Sequence, residues 1–257
     1  MTAPSVLVAA DTTQLVDAAT GIITQALSDI PPGTHRSIAL AGGSTPRAIY
    51  AGLVEAPIEW DRVTILFGDE RCVPPDDPRA NYRMACEALL DHIVIPRANI
   101  HRIPGELTPR AAQQQAERDL RAVLGVGFPA IDLVLLGIGA DGHTASLFPG
   151  GPELAPTDAL TVLAHRPELD APWRVSMSLP LLQAARTTLM IADDPGKAPV
   201  VARAIAGDPA LPAALAHSPS GVCQWLISRA TASDVPEAQQ TPLPYGSGRT
   251  PPPGPSH

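Results

Sequence analysis

The sequence predicts an α/β protein with a mainly parallel, Rossmann-like sheet flanked by helices. Three observations predict it. Strand-like apolar runs alternate with helix-period segments over most of the chain. Some runs, such as RVTILFG at 62–68, read as buried-type strands, dominated by Val, Ile, Leu and Phe. Glycine-rich turns follow several runs, where the carboxyl ends of parallel strands gather ligands.

The elements follow in order. SVLVAA (5–10) reads as a strand. Asp11 then caps a helix to about Ile30, with Gln14 at a capping-box position and Pro31-Pro32-Gly33 as the stop. RSIALAG (36–42) is a strand, and a helix follows from about Pro46 to Leu53, capped by Ser44 or Thr45. After the strand at 62–68, Asn81 caps a helix through about His92. Thr108 caps another, with Pro109 at its first position and Gly125 past its end. Strands are expected at 131–136 and near 160–164, 173–178 and 187–192, then a helix near 196–206 and a last strand near 222–228. These make one domain, residues 1–230. Residues 231–257 carry seven prolines and no periodicity, and read as a Pro-rich, disordered tail.

Composition narrows the function. A 257-residue chain that is 45% hydrophobic can bury a substantial core. A net charge of −8 argues against nucleic acid or an anionic membrane as partner. No apolar run approaches the roughly 18 residues of a membrane span, and the N-terminus lacks the basic region of a signal peptide. Cys72, Cys86 and Cys223 show no metal or redox spacing, which fits free thiols in a reducing cytoplasm. Seventeen of the 18 basic residues are Arg; Lys197 is the only lysine. A lysine surviving such a bias is nominated for a specific task, because its ammonium is a point charge that Arg does not mimic.

Chemistry is expected just after each apolar run. In ALAGGSTPRAIY (39–50), Gly42 and Gly43 let the backbone approach a ligand, and Ser44 and Thr45 open a helix whose free N–H groups suit an anion. An ordinary tight turn accounts for the same letters equally well. In FGDERCVPPDDPRANYR (67–83), Asp69, Glu70 and Arg71 follow a strand directly; they are either an anion-holding guanidinium with two carboxylates or a local ion-pair network. Arg79 and Arg83 read as ion-paired or solvated.

The stretch IDLVLLGIGADGHTASLFPG (131–150) holds Gly137-x-Gly139-x-x-Gly142, the letters of a dinucleotide cradle. A cradle needs a long helix next and an acid after the following strand. Here Pro149-Gly150-Gly151-Pro152 cuts any helix short, and Asp158 falls before the next strand. The glycines instead suit a tight turn presenting Asp141 and His143, with His143 as a base near neutrality and Asp141 to orient it. The other histidines show no ligand spacing, so no metal site is read. Arg174 enters a strand in WRVSMSLPLLQAA (173–185), and Lys197 sits near a helix start in IADDPGKAPVV (191–201). Gathered around one site with Gly42–Thr45 and Arg71, these cations suit a small phosphorylated ligand.

Together, GGSTP (42–46), DERCVP (69–74), NYR (81–83), LGIGADGHTASLFPG (136–150), RVSMSLPLL (174–182) and GKA (196–198) resemble the 6-phosphogluconolactonase family, in order and spacing, over roughly residues 5–230. The resemblance implies the fold shared with glucosamine-6-phosphate deaminase, hydrolysis of 6-phospho-D-glucono-1,5-lactone in the oxidative pentose phosphate pathway, and no metal or organic cofactor. It implies His143 as general base, and Gly42, Gly43, Ser44, Thr45, Arg71, Arg174 and Lys197 as substrate-binding positions. Asp69 and Asp141 match motif positions; Asp69 is counted with the substrate site and Asp141 with the catalytic one. The implied partner is a phosphorylated sugar lactone, bound by a monomer or small homo-oligomer. Two rivals stand beside it. An amino-sugar phosphate deaminase of the same fold would continue its GxGxDGH with an Asn-Glu-Pro segment, where this chain has Thr144 to Pro149. A non-enzymatic sugar-phosphate sensor would normally carry a DNA-binding segment.

Overall fold

Buried β-branched and leucine-rich runs become the sheet, and the helix-period segments cover it. The computed structural model describes residues 4–28, 33–125, 128–155 and 157–244. In chain order the elements are β1 (Ser5–Ala9), α1 (Thr12–Ser28), β2 (Arg36–Leu40), α2 (Ser44–Leu53), β3 (Val63–Phe67), β4 (Asp69–Arg71), α3 (Asn81–Ala85), α4 (Pro109–Leu124), β5 (Leu133–Gly137), β6 (Thr161–His165), β7 (Trp173–Met177), α5 (Leu179–Gln183), β8 (Thr187–Ala192), α6 (Ala198–Ile205), α7 (Pro212–Leu215), β9 (Val222–Ser228) and β10 (Gln240–Pro242).

Seven strands form one sheet in the order β10-β1-β9-β8-β5-β2-β3, every neighbouring pair parallel. Alternate residues feed opposite faces. On β5, Leu133 and Leu135 join one apolar cluster, and Val134 and Leu136 join the other. Helix α1 buries Leu15, Ala19, Ile23 and Leu27, one stripe at four-residue spacing, against the first cluster. Helix α6 buries Val200, Val201, Ala204 and Ile205 against the second.

Several expectations change. The runs near 160–164 and 173–178 do not enter the parallel sheet. They are β6 and β7, antiparallel in a separate three-stranded sheet with β4, a strand the sequence did not announce. Three residues are too few to show a period, and β4 exists because β7 lies alongside it. Asn81 does not cap its helix: the N-cap is Ala80, and the buried Asn81 amide donates to Asp69 instead. That helix continues as a π-type turn over Cys86–Leu90. Neither Ser44 nor Thr45 caps α2; Gly43 does, at φ +116°. At α1 the Gln14 N–H donates to Asp11 Oδ1 (2.8 Å), and the Gln14 side chain accepts from Ala10 N–H. Ile30, Pro31 and Pro32, the expected end of α1, lie outside the described residues.

Ordered structure continues past residue 230, where the composition places the start of a tail. Ala232 and Val235 are buried, and β10 pairs in parallel with the outer edge of β1 (Val6 opposite Gln240). An edge strand needs no apolar alternation and tolerates Pro242, so the Pro-rich composition hid it. The fold therefore runs to at least Pro244; residues 245–257 lie outside the described residues. Among the described residues no helix is long and apolar enough to cross a membrane.

Candidate active site

Because β2, β3, β5 and β8 are parallel, the loops after them meet at one sheet edge. They enclose a cavity of about 450 Å³. Gly42, Gly43, Ser44, Thr45, Asp69, Arg71, His143, Arg174 and Lys197 all line it; Asp141 stands behind His143 without lining it.

The turn after β2 is anchored from below. Tyr50, fully buried, donates its hydroxyl to the Ala41 carbonyl (2.8 Å) and accepts the Ala41 N–H (2.9 Å). Burial pushes its phenol far above the usual range. A Cβ at Gly42 would lie 2.1 Å from Asn81 Oδ1, so the close approach of these two loops demands glycine. The N–H groups of Gly42, Gly43, Ser44 and Thr45 have no protein acceptor among the described residues. They stand at the positive end of α2, a ten-residue helix.

The loop after β3 separates three roles. Asp69 is buried and accepts the Ser146 hydroxyl (2.6 Å) and the Asn81 amide (3.1 Å). Glu70 is also buried and accepts three N–H bonds, from Arg71 (2.8 Å), Asn81 (2.7 Å) and Tyr82 (2.7 Å). Burial pushes its carboxyl up to about 7 against those donors. Glu70 thus holds the start of α3 rather than a ligand. Arg71 pairs across the small sheet with Arg174. One Arg71 nitrogen donates to the Arg79 carbonyl, while its buried Nε has no partner among the described residues. Burial first, then the Arg71 charge, lowers the Arg174 pKa from its ordinary value. Neither arginine, nor Lys197, belongs to an ion pair among the described residues. Arg79 and Arg83 pair instead with Asp77 and Glu87.

The loop after β5 is tied at nearly every residue. Gly139 N–H reaches the His143 carbonyl (2.8 Å), Gly142 N–H the Gly139 carbonyl (2.9 Å), and Thr144 Oγ1 the Gly137 carbonyl (2.7 Å). Ala145 takes φ +48°, an uncommon conformation for a residue with a side chain. His143 Nδ1 lies 2.6 Å from Asp141 Oδ1, which also accepts the His143 backbone N–H (3.1 Å). Burial raises the Asp141 carboxyl, but the His143 N–H and imidazole outweigh it and hold the pKa below the usual value. Asp141 therefore favours the tautomer with Nδ1 protonated, which leaves Nε2 to accept a proton.

Sequence reasoning did not single out Tyr50 or the Asp69–Ser146–Asn81 contacts. Ser146 and Asp69 are 77 residues apart, and no local pattern links them. Asp194 was also passed over. Its carboxylate accepts Gly196 N–H (2.9 Å) and shapes the turn that carries Lys197. Among the described residues no three His, Cys, Asp or Glu side chains cluster as metal ligands.

A family model described as glucosamine-6-phosphate isomerases/6-phosphogluconolactonase matches residues 10–225. A 6-phosphogluconolactonase of Synechocystis is 36% identical over 219 residues, which are 83% of this chain and 89% of that protein. The solved structure of 6-phosphogluconolactonase from Trypanosoma brucei is similar with a TM-score of 0.78 at 29% identity, over 91% of this chain and 99% of that one. A monomeric glucosamine-6-phosphate deaminase shares the fold, with a TM-score of 0.75 at 21% identity over 89% of this chain and 99% of that one.

Proposed function

The chain belongs to the glucosamine-6-phosphate isomerase/6-phosphogluconolactonase family, and we propose how its residues carry out the hydrolysis of 6-phospho-D-glucono-1,5-lactone to 6-phospho-D-gluconate. The observation that carries the proposal is the His143–Asp141 pair, 2.6 Å apart, at a cavity whose other walls hold cations without ion pairs and N–H groups without acceptors among the described residues.

A δ-lactone is an activated ester, so water can attack it without a covalent enzyme intermediate. His143 Nε2 takes a proton from the water as its oxygen bonds to C1. The carbonyl electrons move onto oxygen, and Arg71 or Arg174 faces the resulting charge. When the tetrahedral intermediate collapses, the bond from C1 to the ring oxygen breaks, and His143 returns the proton to that oxygen. The Gly42–Thr45 N–H groups and Lys197 hold the phosphate and fix the lactone's orientation. No step calls on a metal or organic cofactor. Three free cysteines suit a reducing cytoplasm.

The test follows lactone freshly made from glucose 6-phosphate, against its spontaneous hydrolysis. The expected result is clear acceleration by the protein and a loss of about 10²–10⁴ in kcat for His143→Ala. Folded protein that gives no acceleration would reject the activity. Unchanged turnover in the variant would reject the base.

A further inference from the structure

We propose that Phe148, fixed by the Glu153–Arg166 ion pair, is a positioning residue that sets the plane of the His143 imidazole. The inference rests on His143 being the base. Asp141 holds the ring at one atom only, and its own side chain is half exposed (52%). One hydrogen bond from an exposed carboxylate leaves the imidazole free to rock about that contact. The Phe148 ring supplies a wall, with its centroid 4.7 Å from that of the imidazole and the planes 37° apart.

The wall is itself held. Phe148 is 5% exposed, and its N–H donates to Glu153 Oε1 (3.0 Å). The same oxygen accepts Arg166 Nη2 (2.7 Å), and the Arg166 guanidinium lies over the Phe148 ring at 4.3 Å. Arg166 directly follows β6, where its Nη1 donates to the His165 carbonyl (2.9 Å), so its contacts to Glu153 and Phe148 tie the histidine loop to the small sheet. The Glu153 side chain is fully buried. The packing is close: a Cβ at Gly151 would sit 2.2 Å from Glu153 Oε1 and 2.5 Å from Arg166 Nη2. Phe148, Glu153 and Arg166 do not line the cavity, so they act through His143 and not on the lactone.

The experiment compares Phe148→Leu, Arg166→Gln, Arg166→Lys and His143→Asn with the parent protein by steady-state kinetics, thermal unfolding and proton NMR of the His143 ring. Phe148→Leu keeps apolar bulk and removes the flat face. It should lower kcat about tenfold with KM within about twofold, because misplacing a reacting group acts on the chemical step. The His143 ring resonances should move as the aromatic ring current disappears. Arg166→Gln should lower kcat about threefold, and Arg166→Lys should recover part of it. Turnover at the parent level in both Phe148→Leu and Arg166→Gln, beside an inactive His143→Asn, would overturn the bracket alone. So would losses that only track the unfolded fraction, or a rise in KM at constant kcat. Full turnover in His143→Asn would overturn the base assignment beneath it.

Discussion

The turn after β2 and the loop after β5 begin alike, as glycines following a buried strand, and end in opposite states. The loop at 137–148 is tied both within itself and to its surroundings: Gly139, Gly142, Thr144 and Leu147 donate to acceptors within the loop, and Ser146 to Asp69. Among the described residues, the turn at 42–45 leaves four N–H groups without protein acceptors, opposite a lysine and two arginines that form no ion pairs. A proton transfer depends on geometry, so the histidine is held from several sides. Binding a dianion depends on donors that still lack a partner. On the proposed roles, one cavity joins a well-tied reacting half to a binding half whose donors still lack partners. Damage to the first should appear in kcat, and damage to the second in KM.

The largest effect expected from a glycine is at Gly139. An alanine Cβ there would lie 2.1 Å from His143 Nδ1 and Cε1. The ring must swing away, while the backbone need not move. Gly139→Ala should lower kcat by about 10² with little change in thermal stability. Ordinary turnover in that variant would show that the ring geometry is not constrained as described. Asp141→Asn should also cost about 10² in kcat, because an amide can donate to Nδ1 and so favour the wrong tautomer. A pH–rate profile checks the same contact. The depressed Asp141 pKa means the carboxylate stays ionised until the pH falls below its ordinary range, so its support of folding and of His143 is present above that range and fades only on strong acidification. Smallest is Ala145→Gly. Removing the strain at φ +48° and adding unfolded-state freedom offset each other, so stability should change by less than about 1 kcal/mol in a denaturant titration. A larger loss would assign the Ala145 methyl a packing role.

Much of the fold was legible because long periodic segments report their own structure. The stripe at Leu15, Ala19, Ile23 and Leu27 and the continuous run at Leu133–Leu136 are such segments. What escaped was structure created by a distant partner. Strand β4 needs β7 beside it, and β10 needs the free edge of β1. Asn81 has the letter of a helix cap, but the helix start is already held by Glu70, and its amide serves Asp69 instead. The site divides in the same way. Glycines and cations after apolar runs could be read locally, and they surround one cavity. Nothing local distinguished Asp69, tied to Ser146, from Glu70, tied to three N–H groups, although they are adjacent.

The most direct test of the two-halves account measures kcat and KM for Asp141→Asn and Lys197→Ala side by side on the fresh lactone. The account predicts that Asp141→Asn loses kcat at nearly constant KM. Lys197→Ala should raise KM roughly 10–100-fold, as the loss of one charge-assisted contact implies, with kcat nearly intact. A KM effect from Asp141→Asn, or a pure kcat effect from Lys197→Ala, would contradict it.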